Sequence, residues 1–102
     1  MTKLEFYRTK EDHGWQGFQA FGHTGFAGHG EDIVCAAVSA LTQTAVLGLQ
    51  EVLAIDCLVR VDESKGSLLC LLPEDLACGD WKQAQLVLSV LYVGLLATEE
   101  EY

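Results

Sequence analysis

The sequence predicts one two-layer α+β domain, residues 1–102, with the element order ββαββα and a mainly antiparallel four-stranded sheet. Two segments before residue 22 alternate apolar and polar side chains, and two further strand-like segments lie between residues 55 and 72. Each pair is followed by a segment with the apolar spacing of a helix. A chain of 102 residues is long enough for one hydrophobic core but not for two.

The first half of the chain predicts a hairpin and a helix. Residues 4–8 and 15–21 form the predicted strands around the polar turn 10–14. A helix is predicted from Asp32 to about residue 54, because apolar residues recur there at spacings of three and four. This stripe comprises Val34, Val38, Leu41, Ala45, Leu49 and Val52. Asp32 is the expected N-cap, which places Cys35 in the first turn and Ser39 one turn later on the same face.

The second half predicts two strands and a helix. Residues 55–62 alternate, and residues 67–72 are almost continuously apolar, as in a strand buried on both faces. Asp80 and Gln83 resemble a capping box at the start of a helix that ends near Thr98. Its apolar residues form two stripes, one of Leu86, Val90, Val93 and Ala97 and one of Leu88, Leu91 and Leu95. Such a helix is either deeply buried or part of a dimer interface.

Composition excludes some classes of function. Six basic against fifteen acidic residues give a net charge of −9, so the chain has little with which to neutralise nucleic-acid phosphates. The N-terminus lacks the apolar core of a signal peptide, and the apolar segment 86–97 is too short to cross a bilayer. A soluble, intracellular protein without nucleic-acid or membrane contacts is therefore predicted. Its cysteines are expected to be free thiols: Cys35, Cys57, Cys70 and Cys78.

The stretch from Gly22 to Cys35 is the candidate site. Its first nine residues contain four glycines and two histidines. A phosphate-binding loop is disfavoured, because the lysine of that motif is missing and Glu31 and Asp32 carry the wrong charge. A zinc site is also disfavoured, since gaps of five residues separate the three possible ligands. These ligands are His23, His29 and Cys35.

A third chemistry is a nucleophilic thiol. A thiolate attacks where a thiol does not, so the reaction needs a base near the sulfur. The field of a helix N-terminus favours a thiolate, but Glu31 and Asp32 oppose it, and a histidine partner is required. Both His23 and His29 are candidates from spacing alone. The opposing interpretation is that Cys35 is an inert buried residue.

Two blocks of the sequence resemble the ribosomal-processing cysteine protease family Prp. In the first block, Gly22-His23 is followed after eleven residues by Cys35, within Asp-Ile-Val-Cys-Ala-Ala-Val-Ser-Ala at residues 32–40. In the second block, residues 84–88 and the acidic ending 99–102 are similar to the last helix of that family. The middle of the chain matches only in its strand pattern.

The resemblance implies a small, homodimeric endopeptidase of the bacterial cytoplasm that uses no cofactor and no metal. Members remove a short N-terminal extension from a large-subunit ribosomal protein, the twenty-seventh. Carried over by motif, Cys35 is the nucleophile and His23 the general base. Asp32 and Ser39 are expected to support them, and N–H groups at the helix start and in the glycine loop are the expected oxyanion donors. The alternative is a non-enzymatic dimeric binding module in ribosome assembly, with a structural cysteine.

Overall fold

The computed structural model describes residues 3–11, 14–21 and 29–101, and these form the predicted ββαββα order. The elements are β1 Lys3–Arg8, β2 Trp15–Phe21, α1 His29–Leu47, β3 Leu58–Asp62, β4 Ser67–Leu71 and α2 Cys78–Glu101. A π-helical turn, Gly48–Val52, continues α1. No helix in the described part of the chain combines the length and hydropathy that a membrane span requires. The predicted α+β fold class is confirmed.

The four strands form one sheet in the order β1-β2-β4-β3, and every neighbouring pair is antiparallel. The apolar strand β4 therefore lies inside the sheet, between β2 and β3. The edge strand β3 carries Arg60 and Asp62, and charged side chains on an edge oppose pairing with other chains. The predicted burial of β4 on both faces is wrong, because only Cys70 of this strand is buried and its other residues are half-buried. Both helices cover one face of the sheet, which leaves the other face of β4 less protected.

One face of the sheet and both helices share a single core. Phe18 in β2 and Cys70 in β4 are cross-strand partners, and both are almost fully buried. They pack in one cluster with Val38 of α1 and Leu88 of α2. Both helices therefore lie on the same side of the sheet and make the second layer of the domain.

The C-terminal end of α1 departs from the predicted stripe. Val52 was predicted to lie on the buried face, yet it is 79% exposed. Here the backbone N–H of Leu53 donates to the carbonyl of Gly48 at 3.0 Å, which is the five-residue spacing of a π-helix. The wider turn rotates Val52 away from the core. Ala54 then ends the helical segment with a φ of 55°.

Helix α2 begins at Cys78, so the predicted start at Asp80 is wrong by two residues. The N–H of Trp81 donates to the carbonyl of Ala77 at 2.8 Å, and this is the first bond of the helix. The second predicted stripe lies in the core: Leu88, Leu91 and Leu95. The first stripe is exposed to solvent: Leu86, Val90, Val93 and Ala97. Helix α2 is therefore buried along the stripe of Leu88, Leu91 and Leu95 but not along the other stripe.

Helix α2 is fixed to the start of β2 by the side chain of Gln85. Its Oε1 accepts from the backbone N–H of Trp15 at 2.6 Å, and its Nε2 donates to the Trp15 carbonyl at 2.8 Å. The Trp15 indole N–H donates to the Ser89 hydroxyl at 3.3 Å. These bonds satisfy the backbone N–H and carbonyl of Trp15 at the irregular end of the β1–β2 pair, and they connect α2 to the sheet.

We expect Gly17→Ala to destabilise the domain by about 2–4 kcal/mol. A Cβ at this position in β2 would collide with the Cys70 carbonyl oxygen and lie 2.9 Å from the Leu71 Cα, so backbone must shift. Gly79 is the matched control, because a Cβ there meets nothing within 4 Å. Gly79→Ala should be neutral or stabilise by up to about 1 kcal/mol, since alanine is the better helix former. Urea unfolding of both variants measures the difference, and equal effects would contradict the packing described here.

Candidate active site

Cys35 is the seventh residue of α1 and lies on the side of the helix that faces the sheet. Only 4% of the Cys35 residue is exposed. Its neighbours in the helix explain this position, because Val38 packs into the core one turn later and Val34 packs against that core. The apolar stripe therefore sets the rotation of α1, and that rotation places the thiol at the boundary between the core and a surface groove.

The start of α1 corrects the predicted role of Asp32. The helix begins at His29, so Asp32 lies inside the first turn and is not the N-cap. Aspartate is favoured both at the N-cap and in the first turn, and the pattern alone therefore could not place the start. Among the described residues, the N–H groups without a helical partner belong to residues 29–31. Cys35 lies beyond them, so its own N–H is not among the oxyanion donors that the helix start was expected to supply.

A groove of about 320 Å³ runs beside the thiol. One wall is α1, which contributes Cys35, Val38, Ser39, Thr42 and Gln43. The facing wall is the β3–β4 hairpin, with Val61, Asp62, Glu63, Gly66, Ser67 and Leu68, and Ala20 of β2 completes the lining. The prediction that Cys35 and Ser39 share a face of α1 is confirmed, because both line this groove.

The hydroxyl groups of the α1 wall differ in their partners. Thr42, which is buried, donates to the backbone carbonyl of Val38 at 2.9 Å and also lies 3.1 Å from that of Ser39. The Ser39 hydroxyl instead accepts from Nε2 of Gln43 at 2.8 Å. Ser39 is thus held by a side chain on the groove wall, whereas Thr42 is satisfied by its own helix.

The facing wall is held in one conformation by Asp62. Its Oδ1 accepts from the Ser64 hydroxyl at 2.6 Å, from the Ser64 N–H at 3.1 Å and from the Lys65 N–H at 3.3 Å. These bonds, the one from the Ser64 hydroxyl first, hold the pKa of the Asp62 carboxyl below its usual value. Gly66 closes the turn with a φ of 63°, in the left-handed region that favours glycine. The wall opposite Cys35 is therefore a turn with three hydrogen bonds to Asp62 and a glycine in the left-handed region.

The other three cysteines lie away from this groove. Cys57 and Cys70 are buried in the core and hydrogen-bond to each other. A Cys57 thiolate accepts that bond, so the pKa of Cys57 is lowered, while the same bond and burial raise the pKa of Cys70. Cys78 is exposed and is the first residue of α2, two residues before the predicted start of this helix at Asp80. No cysteine in the described residues forms a disulfide.

The remaining predicted site residues are His23, His29 and Asp32. His23 lies outside the described residues. His29 and Asp32 lie in the first turn of α1, where only the helical backbone is described. Two features of the groove were not predicted from the sequence: Gln43 and the turn that donates to Asp62. The signal for Gln43 was present, because it lies four residues after Ser39 and eight after Cys35, on one helix face.

A nearly buried cysteine on the α1 wall of a groove, with hydroxyl and carboxamide groups beside it, is compatible with an enzyme that uses a thiol nucleophile. The comparisons with known proteins agree with that class. The model of the cysteine protease Prp family matches residues 1–102. The ribosomal processing cysteine protease Prp of Bacillus subtilis is 33% identical over 95 residues, which cover 93% of this chain and 85% of that protein. The chain belongs to the cysteine protease Prp family and is a cysteine protease.

Solved structures share the fold over the whole chain. A ribosomal processing protease Prp of Staphylococcus aureus, solved with a substrate peptide, superimposes with a TM-score of 0.86 at 24% identity. The match covers 100% of this chain and 92% of that one. A Streptococcus mutans protein, SMU.848, superimposes with a TM-score of 0.82 at 26% identity and covers 99% and 85% of the two chains. The sheet order and the helix layer are therefore those of this family.

Proposed function

We propose that this protease removes the short N-terminal extension of a large-subunit ribosomal protein, the twenty-seventh, in the bacterial cytoplasm. The observation that carries the proposal is the position of Cys35 on the α1 wall of the groove between α1 and the β3–β4 hairpin. The relative in Bacillus subtilis is named for ribosomal processing, and the Staphylococcus aureus structure holds a substrate peptide. Both facts support a ribosomal-protein precursor as the substrate.

In the proposed mechanism Cys35 is the nucleophile and His23 the general base. His23 takes the proton of the thiol, and the thiolate attacks the carbonyl carbon of the scissile peptide bond. When the carbon–nitrogen bond breaks, the protonated His23 returns the proton to the leaving amine. Water activated by His23 then hydrolyses the thioester and frees Cys35. Asp32 and Ser39 are proposed to support this pair, Ser39 through its place one turn from the thiol on the groove wall.

Incubation with two forms of the ribosomal protein tests the substrate assignment. One form carries the N-terminal extension and the other begins at the mature N-terminus. We expect a single cut in the extended form, located by mass spectrometry at the junction, and no cut in the mature form. Cleavage at scattered sites in both forms would contradict a processing role, and an intact extended form would contradict the substrate.

We further propose that the chain is a homodimer that buries the exposed stripe of α2. Leu86, Val90 and Val93 are 64–67% exposed, although all three are large and aliphatic. Single exposed apolar residues are common, but a continuous stripe marks an interaction site. A two-fold dimer places the same stripe of each copy against the other, which removes both from water at once.

Val90→Asp tests this interface. A charge at the centre of the stripe is left unpaired in the dimer but remains solvated in the monomer, so we expect the variant to elute as a monomer. Multi-angle light scattering after size exclusion measures the mass of each species. Glu99→Lys is the control, because it changes a charge at an exposed position on the opposite side of α2 from Val90 and should leave the dimer intact. A wild-type chain that is itself a monomer would contradict the proposal.

A further inference from the structure

The groove beside Cys35 has a direction, and that direction follows α1. The helix residues that line it lie at positions 35, 38, 39, 42 and 43, which is one helix face over two turns. Eight residues at about 1.5 Å each place Gln43 about 12 Å from Cys35 along the axis. The groove is therefore longer than a pocket for one side chain needs to be.

The length of the groove predicts which part of an extended peptide reaches Gln43. An extended chain advances about 3.3–3.6 Å per residue, so about 12 Å corresponds to three or four residues. A peptide that follows α1, with its scissile carbonyl at Cys35, thus places its third or fourth residue from the cut beside Gln43. The turn whose N–H and hydroxyl groups donate to Asp62 forms the opposite wall of this path.

Gln43 has the chemistry to bind the main chain of such a peptide. A carboxamide carries two N–H donors and a carbonyl acceptor, and the bond to the Ser39 hydroxyl uses one of these donors. The second donor and the carbonyl match the acceptor and the donor of a peptide unit. The bond to Ser39, at 2.8 Å, also holds the long side chain against the wall of the groove, which reduces the entropy that binding would cost.

We propose that Gln43 is a substrate-binding residue whose carboxamide hydrogen-bonds the peptide main chain three or four residues from the scissile bond. This inference rests on the proposed role of Cys35, because that residue fixes where the cut lies. Since the contact is to the main chain, it positions an extended peptide regardless of which side chain the substrate carries three or four residues from the cut. The contact therefore favours substrates whose main chain is extended beside Gln43 and does not read the side chain at that position.

A scan with ester bonds tests the contact. In a peptide that spans the cleavage site, each main-chain N–H within four residues of the cut is replaced in turn by an ester oxygen. For the wild-type enzyme we expect kcat/KM to fall about 5- to 10-fold for one ester, three or four residues from the cut, as for the loss of one hydrogen bond. Gln43→Ala should lose a similar factor with the all-amide peptide and should not respond to that ester.

Two variants separate the contact from a structural effect. Gln43→Glu keeps the acceptor and should still respond to the same ester. Gln50→Ala changes an exposed glutamine near the end of α1 that does not line the groove, and its ester profile should match the wild type. An ester response that persists in Gln43→Ala, or a response confined to the residues next to the cut, would overturn the inference.

The same peptides distinguish this inference from the catalytic assignment. Their affinity for the Cys35→Ala variant, measured by fluorescence anisotropy, reports the contact without turnover. If Cys35→Ala still cleaves, the catalytic proposal fails. The affinity scan then still shows whether Gln43 hydrogen-bonds the peptide main chain. If Cys35→Ala is inactive and the affinities show no ester response that depends on Gln43, only the present inference fails.

Discussion

Cys35→Ala is expected to lower the rate of precursor cleavage by about 10⁴-fold or more, because no other group can take the place of the attacking sulfur. The folded state should change little. Removal of one small buried group from α1 costs about 1 kcal/mol, which a thermal melt detects as a modest shift. A loss of turnover by orders of magnitude with a nearly unchanged melt separates a nucleophile from a buried structural cysteine.

Cys78→Ala is the matched control for this experiment. Its thiol is exposed at the start of α2 and does not line the groove, so cleavage should proceed at the wild-type rate. Cleavage is followed by gel or by mass spectrometry at equal concentrations of folded enzyme. Full activity of Cys35→Ala, or a comparable loss in Cys78→Ala, would contradict the assignment of the nucleophile.

His23→Ala is expected to lower the cleavage rate by about 10²–10⁴-fold, the range that a positioned general base contributes. The helix start cannot replace the base. Cys35 lies seven residues into α1, beyond the turn where the field of the helix is concentrated. The variant should still bind the precursor, because His23 is proposed to act on the thiol and on the leaving amine.

His29→Ala is the control for the base, since His29 is the histidine nearest to Cys35 in sequence. It begins α1 and inherits no role from the motif, so its variant should cleave at close to the wild-type rate. Single-turnover rates of the two variants measure the chemical step alone. A larger loss in His29→Ala than in His23→Ala would reverse the choice of base.

Much of the fold follows from local patterns in the sequence. The period changes from two to 3.6 where the helices occur, and the apolar residues of α1 fix the face that Cys35 and Ser39 share. The helix starts were predicted two or three residues late. Aspartate is favoured at the N-cap and within the first turn alike, so neither Asp32 nor Asp80 marks one register.

Other features depend on contacts between distant segments. The place of β4 between β2 and β3 follows from pairing across the whole sheet, which periodicity does not encode. The exposure of Val52 depends on one π-helical turn. The groove itself needs α1 and the β3–β4 hairpin to face each other, so helical spacing places Gln43 on the face of Cys35 but cannot show that this face lines a groove.

The central claim is that one thiol, that of Cys35, forms the covalent bond to the substrate. A peptide of the N-terminal extension that ends in a chloromethyl ketone at the scissile position tests it directly, because only a thiol held at that position reacts quickly. Peptide mapping by mass spectrometry should locate a single adduct on Cys35, and the adduct should be absent from Cys35→Ala. An adduct on Cys57, Cys70 or Cys78 in the wild-type chain, or equal labelling of all four cysteines, would contradict the account.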